Sequence, residues 1–229
     1  MTVKQIAHDS EDTVVILPHD CHKEYYIESL GEIDAKPVYG FLKRVFDIVF
    51  SLTAFLVLLL PMAVIALLVK CTSPGSVFYR QERLGLNGKK IDVIKFRTMQ
   101  MDAEAGGIQW STGENDTRVT AFGRILRATH LDELPQLWCI LKGDMSVVGP
   151  RPEREVYYNE FEKYVHGFHE RLKVKPGLTG LAQVEGGYYL EPQKKAAYDV
   201  EYIKTRSVWL DIKIVFKTAK MLFVHEEAK

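Results

Sequence analysis

Hydrophobic and polar positions follow three patterns along this chain, and each predicts a different kind of element. Residues 48–69 (IVFSLTAFLVLLLPMAVIALLV) are 22 positions without a charge, long enough for a membrane helix. Pro61 interrupts the run after thirteen residues, with eight to follow; a proline there removes a helix hydrogen bond and crowds the preceding turn. Lys43 and Arg44 precede the run, and Lys70, Arg80 and Arg83 follow it, so the preference of basic residues for the cytoplasm holds both ends on one side. The pattern predicts a hairpin that turns back at Pro61; a kinked single crossing or a buried core helix are the other ways to place the same residues. A cleaved leader does not fit, because the run is too long and begins too late.

Downstream the period changes. VFYRQERLG (77–85) and residues 91–99 read as strands, and SPG (73–75) as a turn. Residues 100–118 are polar, with glycines at 106 and 107, and read as a mobile loop. Between 120 and 141, apolar residues recur at helical spacing but Pro135 intervenes, so one short helix ends near Arg127 and another begins around Leu134. Val208, Trp209, Ile212, Val215, Phe216, Ala219, Leu222 and Phe223 share one helical face, with Lys213, Lys217 and Lys220 off it. This is a helix lying on anionic lipid or one facing a core. The fold class is α+β, mostly α: a re-entrant membrane helix hairpin, interfacial amphipathic helices and a small β component. The divisions are an acidic extension (1–39), the membrane helix (40–70) and a catalytic part at the membrane surface (71–229).

The formal net charge is zero, but residues 1–39 hold three lysines against eight acids, leaving the remainder at +5. A basic body weakly favours anionic partners. Cys21, Cys71 and Cys139 are widely spaced, which indicates neither a disulfide framework nor a zinc site and suits a reducing compartment. The cluster His19, Cys21, His22 and the pair His166, His169 have no further matched ligands.

The chain has no GxxxxGK[ST], no GxGxxG and no Asp-x-Asp, so a phosphate would be held by other means. Lys95 and Arg97 (KFRTM), Arg124 and Arg127 (GRILR) and Arg151 (GPRP) stand beside glycine, proline or turns, and arginine is suited to two-pronged phosphate binding. Asp132 and Glu133 lie between the two short helices, just before Pro135. They are either helix-start caps or a chemical pair, in which one carboxylate attacks phosphorus while Mg²⁺ screens the phosphate oxygens and the other assists.

KRVFDIVFSL (43–52), the proline-broken run, FYRQERLGLNGK (78–89), KFRTM (95–99), LDELPQL (131–137), GDMSVVGPRP (143–152) and PGLTGLAQVEGG (176–187) together resemble the bacterial sugar transferases, the monotopic polyprenyl phosphate phosphoglycosyl transferases, over residues 41–223. The resemblance implies a re-entrant helix with both ends cytoplasmic, on the bacterial plasma membrane. It makes Asp132 the nucleophile on a UDP-sugar, releasing UMP, with undecaprenyl phosphate then taking the phosphosugar. Mg²⁺ is implied near Asp132, with Glu133 assisting, Arg151 and Arg127 as phosphate ligands, and Lys95 and Arg97 beside them. Asp199, in YDVEY, matches a recurrent acid without an assigned role. The lipid bilayer and other polysaccharide-assembly proteins are the further partners implied; nucleic acid is not. GlyGly at 186 and 187, with YYLEPQKKAAYD (188–199) after it, looks more like the hexose-phosphate initiators of capsule or exopolysaccharide synthesis.

Departures are Leu60 where many members have Ser before the proline, Cys139 where many have Asn, and His130 where Ser is common. Only the acidic extension precedes the first motif, which makes this a short form. A membrane scaffold with a degenerate site and a soluble phosphate-binding protein are the competing readings.

Overall fold

The computed structural model describes residues 4–6, 15–17, 23–101, 103, 116–186 and 190–224, the backbone alone at 4–6, 15–17, 223 and 224. The His19, Cys21, His22 cluster, most of the 100–118 loop and Gly187 lie outside the described residues.

Two short strands, β1 (Lys4–Ile6) and β2 (Val15–Leu17), pair antiparallel. The extension then crosses the body: β3 (Tyr25–Tyr26) joins β7 (Val165–His166) in parallel, and the Leu30 N–H donates to Glu170 Oε2 at 2.8 Å. Helix α1 comes next (Pro37–Thr72), begun by a proline, whose missing N–H costs nothing in a first turn. It is long and apolar enough to enter a membrane, and Leu56, Val57 and Leu60 in its middle are exposed.

A reversal at Pro61 is not shown: α1 is helical through it, over 36 residues. One proline deletes a single internal hydrogen bond. Just past it, Met62, Ile65 and Val69 pack with Phe96 and Leu126, which holds the second half of the helix on the body. The first half is fixed by polar anchors. Arg44 donates to the carbonyls of Ile140 (2.7 Å) and Leu141 (2.8 Å) at the end of helix α3 (Gln136–Lys142), where the last carbonyls have room for further donors. Buried Asp47 accepts from Ser146 Oγ at 2.9 Å and the Val147 N–H at 2.8 Å.

The expected strands form a hairpin, β4 (Phe78–Leu84) with β5 (Lys90–Phe96), in register from Phe78 opposite Phe96 to Leu84 opposite Lys90. Asn87 and Gly88, both at positive φ, make its tight connection. Helix α2 (Ala121–Ala128) is capped by the Thr120 hydroxyl, which accepts from the Gly123 N–H at 2.9 Å. A single 3₁₀ turn, Leu131–Glu133, links it to α3. Then come β6 (Ser146–Val148), α4 (Glu155–Glu162), β7, the 3₁₀ segment Phe168–Lys173, β8 (Gly177–Thr179), α5 (Leu181–Gly186), α6 (Pro192–Thr205) and α7 (Val208–Val224).

The structure is thus mostly helical, with four two-stranded sheets among the described residues. Strand β6 pairs with β8 in parallel at the centre. Around it Val93, Leu137, Ile140, Val148, Ile203 and Ile214 form the main core. The apolar α7 face read from sequence is not the one turned to the core: Val208, Trp209, Phe216 and Leu222 are exposed, whereas Ile214 and Asp211, which lie off that face, are buried.

Replacing Asp47 by alanine leaves a buried hydroxyl and a buried N–H without their acceptor. A loss of about 1–3 kcal/mol is expected, seen as a melting temperature several degrees lower in detergent micelles; an unchanged value would remove Asp47 as an anchor of α1.

Candidate active site

The site is built on the 3₁₀ turn between α2 and α3. His130 opens the turn in the left-handed conformation, φ 56°. Beyond the turn, Pro135 stands at the start of α3, so the chain tightens here before a full helix can resume. Leu131 and Leu134 flank the acidic pair and pack against the cluster of Met62, Ile65, Val69, Phe96 and Leu126, which ties the turn to β5, α2 and the second half of α1.

Asp132 and Glu133 are both buried but have different surroundings. Lys95 Nζ, from β5, donates to Glu133 Oε1 at 2.8 Å. Arg151 forks onto the same carboxylate, Nη1 to Oε2 at 3.1 Å and Nη2 to Oε1. Burial pushes the Glu133 carboxyl up, but Arg151 and Lys95 outweigh it and hold the group well below the usual carboxylate range. Asp132 accepts no hydrogen bond from any described residue. Its burial dominates the pull of Lys95, Arg151 and Arg127, and the carboxyl is pushed up to about 6. Adjacent acids therefore differ: Glu133 is an ionised counter-ion with its oxygens engaged, and Asp132 has uncommitted oxygens.

Arg151 is positioned by close backbone packing. The Gly149 N–H donates to the Thr179 carbonyl at 2.8 Å, and the Gly177 N–H to that of Pro150 at 2.9 Å. A Cβ on Gly149 would lie 2.5 Å from the Lys175 carbonyl oxygen, so the glycines of GPRP and PGLTG permit the approach of two backbones. The Arg151 carbonyl accepts from Arg171 Nη2 at 2.9 Å. Arg171, in turn, gives Nε to Asp199 Oδ2 at 2.6 Å and lies 4.6 Å from the Phe168 ring centre. Asp199, without a role from sequence, thus holds the arginine that holds Arg151.

Other candidates are more distant from the acidic pair. Arg127 Nε donates to Thr98 Oγ1 at 2.9 Å, and its charge still acts on Asp132. Arg97 is pinned to the Ser73 carbonyl and hydroxyl, each at 2.8 Å, rather than to Glu133. Sequence reasoning missed Arg171, which stands in an ordinary-looking polar stretch, and Glu153. The latter lies buried between Arg83 (3.1 Å) and Lys195 (2.9 Å), which, against its burial, draw it down to about 2. Its place two residues after Arg151 was the available signal.

No group of three or more metal-binding side chains forms among the described residues. The uncommitted Asp132 carboxylate is nonetheless the kind of single protein ligand that suits Mg²⁺ when substrate phosphates supply other oxygens.

Asp199→Ala would strip buried Arg171 of its counter-charge. The expected cost is about 3–5 kcal/mol, read from the urea midpoint in micelles, and an effect under about 1 kcal/mol would mean that the pair does not hold the Arg151 segment.

Residues 38–225 match the model of the Bacterial sugar transferase family. The chain is 39% identical to UDP-glucose:undecaprenyl-phosphate glucose-1-phosphate transferase of Escherichia coli K12, over 99% of this chain and 53% of that protein. It is 38% identical to undecaprenyl-phosphate galactose phosphotransferase of Salmonella typhimurium, over 85% and 43%, and 44% identical to exopolysaccharide production protein PSS of Rhizobium leguminosarum, over 77% and 92%. It spans about half the length of the first two relatives. With nearly its whole body matched, from the first turn of α1 to the end of α7, the chain belongs to the bacterial sugar transferase family.

Proposed function

We propose that this chain transfers a hexose 1-phosphate, such as that of glucose or galactose, from a UDP-sugar to undecaprenyl phosphate. The products are UMP and undecaprenyl diphosphate sugar, and the reaction would initiate a capsular polysaccharide or exopolysaccharide. The observation that carries this reading is the unbonded carboxylate of Asp132, buried beside Lys95, Arg151 and Arg127.

In the first step an Asp132 oxygen attacks the sugar-bearing phosphorus; the P–O bond to the other phosphate breaks, and its electron pair leaves with UMP. In the second, an oxygen of the polyprenyl phosphate attacks the same phosphorus and Asp132 departs as carboxylate. Both nucleophiles are already anionic, so neither step requires a proton to be removed. Arg151, Lys95 and Arg127 face the charge on the phosphate oxygens. Glu133, already held ionised by two cations, orients them rather than carrying a proton. Mg²⁺, held by Asp132 and the donor's phosphates, would add charge neutralisation.

We read α1 as entering the cytoplasmic leaflet of the bacterial plasma membrane without crossing it. In support, Arg44 and Asp47 near its start and Met62, Ile65 and Val69 near its end pack on the same body. Exposed Trp209 and Phe216 on α7 would lie in the interface. A membrane-impermeant maleimide should therefore reach exposed Cys71 and a cysteine placed at Lys36 from the cytoplasmic face alone; labelling from opposite faces would overturn the topology.

The decisive assay is UMP release from a panel of UDP-sugars by protein in nanodiscs with Mg²⁺ and undecaprenyl phosphate. One donor should give acceptor-dependent release that Asp132→Asn abolishes. The carboxyl must be ionised to attack, and burial raises its midpoint to about 6, so the rate should fall as pH is lowered from 7 to 5, and raising Mg²⁺ should move that fall to lower pH. Release that survives in Asp132→Asn would reject this nucleophile. No release from any donor would favour a membrane scaffold instead.

A further inference from the structure

Arg97 is only 8% exposed, yet no carboxylate lies against it among the described residues. Nη2 is spent on Ser73; Nη1 meets only the Met101 sulfur, at 3.6 Å, and Nε has no partner. A thioether is a weak acceptor, and a buried charge is costly unless it is paired. Arg171 and Arg83, by contrast, have Asp199 and Glu153. A second cation reaches the same corner, because Lys70 Nζ donates to the Gly75 carbonyl at 3.2 Å. At Gly75, φ +107°, a Cβ would run into Met101 Sδ and stand 2.5 Å from Arg97 Nη1, so the glycine is what lets these side chains reach the corner. Met101, which covers that nitrogen, is 69% exposed and can swing away.

This corner lies at the cytoplasmic end of the apolar helix in the topology proposed for α1, since Ser73 caps that helix. Exposed Leu67 and Leu68 lie just before it. Arg97 is two residues from Lys95, so their backbones stand within about 7 Å. We propose that Arg97 and Lys70 receive the phosphate monoester of the polyprenyl acceptor, while Arg151 and Lys95 hold the reacting phosphate of the donor. The acceptor chain then runs along the apolar end of α1. This assignment rests on the proposed transfer reaction.

The two half-reactions separate the roles. In nanodiscs of neutral phosphatidylcholine, exchange of labelled UMP into the UDP-sugar without acceptor reports the donor step, and product formed with undecaprenyl phosphate reports both. Arg97→Gln should raise the KM for undecaprenyl phosphate at least about tenfold while UMP exchange stays within about twofold of native. Arg97→Lys should be intermediate. Lys70→Gln, at an exposed position, should raise the same KM and carries the test if Arg97→Gln does not fold. Exchange and transfer falling together would make Arg97 a structural cap of α1 and overturn the assignment. An unchanged acceptor KM with lost binding to phosphatidylglycerol vesicles would also overturn it, making the corner a site for bulk anionic lipid. Native protein without UMP exchange would instead defeat the transfer reading, and this assignment with it.

Discussion

Glu133 is a carboxylate kept charged inside the protein, and much of the molecule's arrangement serves that requirement. An ionised acid out of water is stable only with strong partners, and here they come from two separate elements: Lys95 from β5 and Arg151 from the segment after β6. Both cations must be brought to a turn too short to reach them. The tight backbone contact of Gly149 with the Gly177 segment places Arg151, the buried Arg171–Asp199 pair holds its carbonyl, and the β4–β5 hairpin presents Lys95. Motifs far apart in the chain thus serve one ion-pair network.

The same network separates two neighbouring acids. Lys95 and Arg151 spend their hydrogen bonds on Glu133, and only their field reaches Asp132. Burial therefore wins at Asp132 and loses at Glu133. A carboxyl that titrates near neutrality and accepts no hydrogen bond is suited to attack; one fixed in the ionised state is suited to hold cations. Neither environment is a property of the Asp-Glu dipeptide itself.

Local signals were legible where a local rule fixes the outcome. The hairpin, the two short helices around Pro135 and the long apolar helix follow from periodicity, proline and glycine, and the structure reproduces them within a few residues. Gathering Lys95, Arg151 and the acidic pair was suggested by residue type, but the fork on Glu133 was not. What sequence did not reveal depends on distant partners. Arg171 reads as a surface cation until Asp199 and Phe168 bury it, and Asp47 reads as a boundary residue until Ser146 and Val147 claim it. Pro61 does not end the helix as its place in the apolar run suggests: it costs a hydrogen bond and a crowded turn, and packing of the next two turns of α1 helps offset that.

Those two turns also decide where the chemistry lies. The apolar residues just past Pro61 share one cluster with Leu131 and Leu134, and Asp132 and Glu133 stand between those leucines. The acidic turn is thus supported by a helix whose other faces are exposed hydrocarbon. A water-soluble body would gain nothing from exposing such a helix beneath its reactive carboxylate, since that apolar surface would be left in water. The proposed reaction joins a soluble sugar nucleotide to a lipid-bound phosphate, and it would need its nucleophile at the boundary between the two. In the proposed topology, the cluster that Met62, Ile65 and Val69 share with Leu131 and Leu134 would help set the depth of Asp132, and a shift of α1 along its axis would move that carboxylate relative to the lipid headgroups.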